Sequence, residues 1–227
     1  MIGVLVPAHN EAGVIDPCLR SLQVAAVHPR LQGEPVRIVV ALDACTDHTA
    51  RRCAHRGVDV LHLHARCVGA ARAAAAAYLL GQGAHWLAST DADSIVPAHW
   101  LAAQRSAGAD AFCGVVDITA VDRAGARLQQ RFRRNERWGD GHGRVHGANF
   151  GVSAGAYHAV GGFRDLPCGE DVDLVQRLDA AGARIRWAGA PAVLTSMRLR
   201  GRAQGGFADH LAALAAPLSL PCAAPAG

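Results

Sequence analysis

Lysine is missing from this sequence: all 23 basic residues are arginine. Arginine presents a planar fork that grips phosphate or carboxylate in bidentate fashion, although a GC-rich genome would produce the same bias. Aromatic residues are scarce at 5%, and the basic residues look scattered. The chain therefore lacks the stacked, basic groove that nucleic acids need, and no nucleic-acid partner is expected. The seven cysteines (Cys18, Cys45, Cys53, Cys67, Cys113, Cys168 and Cys222) are odd in number and form no Cys-x-x-Cys. That speaks against a zinc ribbon or a disulfide framework and for a reducing, cytoplasmic setting. No apolar run approaches the length of a bilayer. No basic segment leads into a long apolar one at the N-terminus. Neither a transmembrane segment nor a signal peptide is expected, while peripheral membrane contact stays open.

What is present suits one large domain. The chain has 227 residues, 51% of them hydrophobic, with a formal net charge of only +4. Strand and helix patterns alternate through the first two-thirds. Residues 2–6, 36–42, 58–64 and 84–90 read as strands. The second is a continuous β-branched run, as expected for a strand buried on both faces. Between them lie helical patterns: one carries Val14, Ile15, Leu19 and Leu22 on one side, one covers 47–56, and an alanine-rich one covers 69–83 and ends at glycine. Further on, 98–107 read as helix, 110–121 as strand, and 125–138 as a basic helix. A glycine-rich stretch follows, then a helix opening at "GEDVDL" and a strand "ARIRWAG". Alternation of this kind predicts an α/β fold with a single doubly wound, mostly parallel sheet and helices on both faces. The domain is assigned to residues 1–216, with 217–227 a flexible tail.

Ligands of such sheets bind outside the carboxyl ends of the strands. There stands "TDADS", with Asp91 and Asp93 separated only by Ala92. Carboxylates at i and i+2 of an extended segment face the same way and repel unless a cation lies near. Oxygen donors suit Mg²⁺ or Mn²⁺. The competing reading is a turn, with Asp93 or Ser94 capping a helix that starts near Pro97. Elsewhere, Thr46 and Asp47 suit a helix cap. His142 and His146 have an i, i+4 spacing, but the glycines around them argue against a zinc helix.

Four more strand-end motifs accompany the aspartates: "PAHNEAG", "LDACTDHT", "ARCVGAARA" and "CGEDVDL". In this order and spacing, over about residues 2–185, the sequence resembles a family 2 glycosyltransferase with the GT-A fold. The resemblance implies a site. Pro7, Ala8, His9 and Glu11 match the loop that lines the nucleotide, Glu11 suiting ribose hydroxyls. Asp43 matches the aspartate that reads the base edge. Arg66 and Gly69 match positions near base and phosphates, though Cys67 and Ala73 depart from the pattern. Asp93 matches a direct metal ligand, and Asp91 a ligand of ribose or of a metal-bound water. Gly147, Ala148 and Asn149 match the floor of the donor-sugar site. Asp171 matches the general base, with Glu170 beside it as an organising carboxylate. Arg72 stands as a phosphate or sugar contact or as a solvated helix residue. Arg198, Arg200 and Arg202 stand as candidates to close over the diphosphate, and His210 as a residue of a tail helix.

The activity so implied is inverting, metal-dependent transfer of a sugar, a hexose in the commonest case, from a nucleoside-diphosphate donor to an acceptor hydroxyl. A UDP-sugar is the donor the resemblance favours; the sequence does not name the acceptor. One rival is a nucleotidyltransferase of related architecture, which would want a glycine-rich loop after the first strand and often a lysine clamp. The other is a non-catalytic nucleotide-binding relative, which would have no use for Asp171.

Overall fold

The structure is a computed structural model that describes residues 1–120, 122–199 and 206–215. Arg200, Arg202, Cys222 and the proposed tail lie outside the described residues. Seven strands form one sheet in the order β3-β2-β1-β4-β6-β5-β7. They are β1 (Ile2–Ala8), β2 (Val36–Asp43), β3 (Asp59–Leu63), β4 (Trp86–Ser89), β5 (Ala111–Ile118), β6 (Phe150–Ser153) and β7 (Ile185–Thr195). Four of the six pairings are parallel; β6 runs antiparallel between β4 and β5. The predicted mostly parallel, doubly wound sheet is present. The glycine-rich stretch held the unforeseen part: β6 and the short helix α6 (Ala154–Ala159).

The alternation along β1 and β2 shows why these runs are strands. Val4, Val6, Val40 and Leu42 face one core; Leu5, Val39 and Ala41 face the other. Both faces need a cover, and helices supply it. The first is covered by α1 (Ile15–Ala26), α2 (Thr49–Arg56), α4 (Trp100–Ser106), α5 (Arg123–Asn135) and α8 (Phe207–Ala215). The second is covered by α3 (Val68–Gly81), α6 and α7 (Glu170–Ala180). His210 lies in α8, as expected.

The chain winds outward from β1 through β2 to β3, then returns to place β4 on the other side of β1. This reversal is a topological switch point, so the crevice opens between the loops after β1 and β4. The end of β1 and its loop carry Pro7 to Glu11, and the loop after β4 carries Asp91 to Ser94.

Phe132 anchors the second half. It is fully buried and meets Trp138 and Phe207 edge-on, with ring centroids 6.1 and 5.7 Å away. Phe132→Ala should cost about 3–5 kcal/mol, the range for buried aromatic truncation. Urea unfolding should show a lowered midpoint.

Candidate active site

The loop after β1 is laced to the loop after β2. Asn10 takes a left-handed conformation (φ 54°), and its Oδ1 accepts from the backbone N–H groups of Thr46 (2.7 Å) and Asp47 (3.2 Å). Thr46 is thereby tied to Asn10 rather than capping α2. Asp47 does brace that helix, accepting from the Thr49 N–H at 2.9 Å. His9 contacts the Asp43 carbonyl through Nδ1 at 2.6 Å.

Asp43 is buried. Its two oxygens accept from the N–H groups of Arg66 (2.9 Å) and Cys67 (2.7 Å), Arg66 also being left-handed (φ 50°). The three motif loops are thus stitched together by side chain-to-backbone bonds. Gly69 lies close to backbone, but to that of residues 164–166. A Cβ there would stand 2.1 Å from the Arg164 carbonyl oxygen. The local reason for that glycine is packing between loops.

At the crevice floor the arrangement turns on Arg72. It is neither solvated nor open to a ligand: it is buried in α3 and bonds Glu170 through Nη1 (2.7 Å) and Asp91 through Nη2 (2.5 Å). Burial works against its charge, but the charges of Asp91, Glu170 and Asp171 overcome this and hold its proton more firmly. Burial pushes the carboxyl of Glu170 up, and Asp171 adds to this, against the pull of Arg72. Asp91 is likewise raised, first by its depth in the protein and then by the charge of Asp93, with Arg72 opposing. Its side chain still keeps 39% of its exposure, so it opens to the crevice.

The sequence signal for Arg72 was available. Positions 72, 75, 76 and 79 form one buried stripe of α3, and an arginine on such a stripe needs a partner.

Asp93 faces the other way. It accepts from the Ser196 hydroxyl and from Arg198 Nη2 (2.7 Å), while Arg198 Nη1 bonds both Glu11 oxygens (2.9 and 3.2 Å). Ser94 is not a helix cap: it is buried and its hydroxyl donates to Thr195 Oγ1 at 3.0 Å. The position before α4 is His99, without a capping side chain.

Asp171, at the N-terminus of α7, accepts from the N–H groups of Gly147 (2.6 Å) and Val172 (2.8 Å). The proposed base is therefore fastened to the proposed sugar floor. Gly147 must be small, because a Cβ would stand 2.4 Å from Arg72 Nη1. Ala148 is buried. Asn149 is buried too, and its amide is fully occupied: it donates to the carbonyls of Val115 (2.8 Å) and Pro191 (2.9 Å) and accepts from Trp100 Nε1 (2.9 Å). It braces the floor from beneath instead of facing a sugar.

His142 and His146 lie outside any helix; His142 is used by the Cys113 carbonyl (3.1 Å). Among the described residues no group of three or more His, Cys, Asp or Glu side chains could hold a metal ion. Nor, among them, does any group hydrogen-bond to Asp91 Oδ2 or Asp93 Oδ1. These two oxygens suit a hard divalent cation only as part of a shell that a ligand completes.

Residues 3–162 match the family model described as glycosyl transferase family 2. The chain belongs to that family. Its GT-A fold is shared with solved structures of low identity. One is the mannosyltransferase PcManGT from Pyrobaculum calidifontis in complex with GDP-Man and Mn²⁺ (20% identical, TM-score 0.62, covering 88% of this chain and 58% of that one). Another is S. aureus TarS 1–349 in complex with UDP-GlcNAc (16%, TM-score 0.63, 88% and 60%). The chain thus spans about three-fifths of these two structures. No curated protein matches the sequence. No helix among the described residues is long and apolar enough to cross a membrane.

Two measurements test this site as built. Arg72→Met should cost about 3–5 kcal/mol in urea unfolding, because it strands a buried carboxylate. Adding Glu170→Gln should restore part of that loss, since the two sites share one interaction. Second, burial pushes His146 down to about 4 from an unfolded value of 6.5. The unfolded chain then binds the extra proton between those values, so His146 stabilises fully above about pH 6.5 and loses its contribution as pH falls toward 4. His146→Gln should flatten the fall of melting temperature between pH 7 and 4.5.

Proposed function

We propose that this domain transfers a hexose from a nucleoside-diphosphate sugar to an acceptor hydroxyl, with inversion and with a divalent cation. The observation that carries the reading is the convergence of Asp91 and Glu170 on one buried arginine beside the switch-point crevice, with the charge of Asp171 next to it. The nucleoside would lie along Pro7 to Glu11, with Asp43, Arg66 and Gly69 shaping the base end. The diphosphate would meet Asp91 and Asp93, and the sugar would rest on Gly147 and Ala148 with Asn149 beneath.

Each residue then has a physical task. Asp171 is held by two backbone N–H groups and takes the proton from the acceptor hydroxyl as it attacks the anomeric carbon. Glu170 and Arg72 fix the start of α7, so the base is held in place. A single base facing the sugar, without a second carboxyl acid, is the arrangement of direct displacement and hence inversion. Asp91 Oδ2 and Asp93 Oδ1 would hold Mg²⁺ or Mn²⁺, whose chemistry is to offset charge developing on the departing diphosphate. Arg198 now occupies part of Asp93's capacity and is placed to exchange that contact for a phosphate.

A complex with GDP-Man and Mn²⁺ in one similar structure and with UDP-GlcNAc in another supports a nucleotide sugar, and leaves both UDP- and GDP-sugars as donors to be screened. A nucleotidyltransferase is disfavoured by the loop after β1, which lacks a glycine-rich phosphate cradle.

The test is a thermal-shift screen of nucleotide sugars with and without Mn²⁺. A donor at about 100 times its Kd should stabilise by roughly 2.7 kcal/mol. No metal-dependent shift with any donor would remove the proposal. Asp171→Asn should keep that shift while lowering kcat by ~10²–10⁴-fold. Near-normal turnover by this variant would refute the base assignment.

A further inference from the structure

The arginines that look scattered along the sequence are gathered by the fold. Between Asp122 and Arg144 stand seven arginines against three acidic residues, an excess of +4 that equals the formal charge of the whole chain. Arg133 bonds Asp117, Arg144 lies 3.4 Å from Glu136, and Arg131 is half-buried and also engaged. Arg123, Arg127, Arg134 and Arg137 are exposed and have no acidic partner among the described residues.

The geometry of α5 decides how they are displayed. At about 100° per residue, Arg123, Arg127 and Arg134 fall within about 40° of one another. The buried Leu128 and Phe132 lie on the far side, Phe132 about 180° from Arg123. The three arginines therefore form a row along the outermost face of the helix, about 16 Å long. Like charges one turn apart destabilise a helix. The acids at its two caps do not relieve them: Asp122 bonds the Gly125 N–H, and Glu136 faces Arg144 and His210; α5 itself contains none. A solvated face has no need of that arrangement, whereas an external anionic surface supplies the missing counter-charge.

The row is convex and straight, so it presents no pocket for a single small anion. The nearest aromatic, the half-buried Trp138, is committed to Phe132 and to the Arg133 carbonyl, so among the described residues no fully exposed ring accompanies the row to stack on bases. A flat array of phosphates fits it, each guanidinium bonding phosphate oxygens in bidentate fashion. We propose that α5 docks the domain on an anionic lipid surface through Arg123, Arg127 and Arg134, with Arg137 just beyond the helix adding to the patch. The contact is electrostatic and reversible, because the apolar face of α5 is spent in the core.

Sedimentation of the full chain with vesicles tests this, comparing 30% phosphatidylglycerol in phosphatidylcholine with pure phosphatidylcholine, at 50 and 300 mM salt. Binding is expected to the anionic vesicles alone and to weaken with salt. Arg127→Gln with Arg134→Gln should weaken it roughly thirtyfold, from the usual contribution per basic residue at such a surface. Arg20→Gln with Arg51→Gln removes the same charge from exposed positions elsewhere and should leave binding within twofold. Melting temperatures are read in parallel; should the first pair fail to fold, Arg123→Gln with Arg137→Gln replaces it. Absence of binding to anionic vesicles at 50 mM salt overturns the proposal, as do equal losses in the α5 pair and the control pair. Single-stranded DNA serves as competitor: displacement of the vesicles is expected only at large excess, and displacement at equal phosphate concentration overturns the assignment to lipid.

Discussion

A guanidinium buried among three carboxylates is the constraint around which this site is organised. Arg72 sits in the first turns of α3, yet its bonds reach the loop after β4 and the start of α7. Those segments are far apart in sequence, and where they meet at the crevice one cation is shared between them. Removing the cation would leave Asp91 and Glu170 with like charge in a poorly solvated place. Keeping it fixes both. The same guanidinium explains why residue 147 must be glycine, and through Gly147 it governs where the Asp171 carboxylate finds its backbone donor. The charge centre of the crevice is therefore also its mechanical joint.

The aspartate pair acquires a definite meaning from this. Asp91 and Asp93 do not compete for one counter-ion. Asp91 turns inward to Arg72, and Asp93 turns to Arg198, which also holds Glu11. The loops after β1 and β4, which flank the switch point, are thereby joined across the crevice by an arginine that follows β7. A ligand that separates Arg198 from Asp93 must offer the guanidinium an anion and the carboxylate a cation, and a diphosphate with a divalent ion does both. This gives the proposed donor site a reason to be closed by protein charges when no donor is bound.

How much of this was legible in the sequence follows from what is local. The central strands β1 and β2 are apolar on both faces because helices cover both, so each reads as a continuous run, and the motif loops fall at their ends. The glycine-rich stretch was opaque for the opposite reason. β6 has four residues, and its place is set by antiparallel pairing with β4 and β5, contacts that no local pattern records. Asn149 looked like a ligand residue because it stands in the sugar-floor motif; its bonds to Val115, Pro191 and Trp100 come from three distant elements. Ser94 looked like a cap because Pro97 follows, but its partner Thr195 is 101 residues away. Arg72, expected as a ligand contact or a solvated residue, is instead a buried ion-pair centre, and the local signal for that is its place on the buried stripe of α3.

The distribution of charge ties the two halves of the molecule together. Around the crevice stand six acids, Glu11, Asp43, Asp91, Asp93, Glu170 and Asp171, against Arg66, Arg72 and Arg198, while the chain as a whole is positive. An anionic nucleotide sugar approaching that acid excess is repelled unless additional positive charge enters with it. Arg72 and Arg198 are already committed to four of the carboxylates, and Arg66 alone cannot offset the excess. A divalent cation arriving with the diphosphate can, and it would do so at the two aspartate oxygens to which no described group hydrogen-bonds. The case for a metal in this domain therefore rests on charge balance as much as on the spacing of two aspartates.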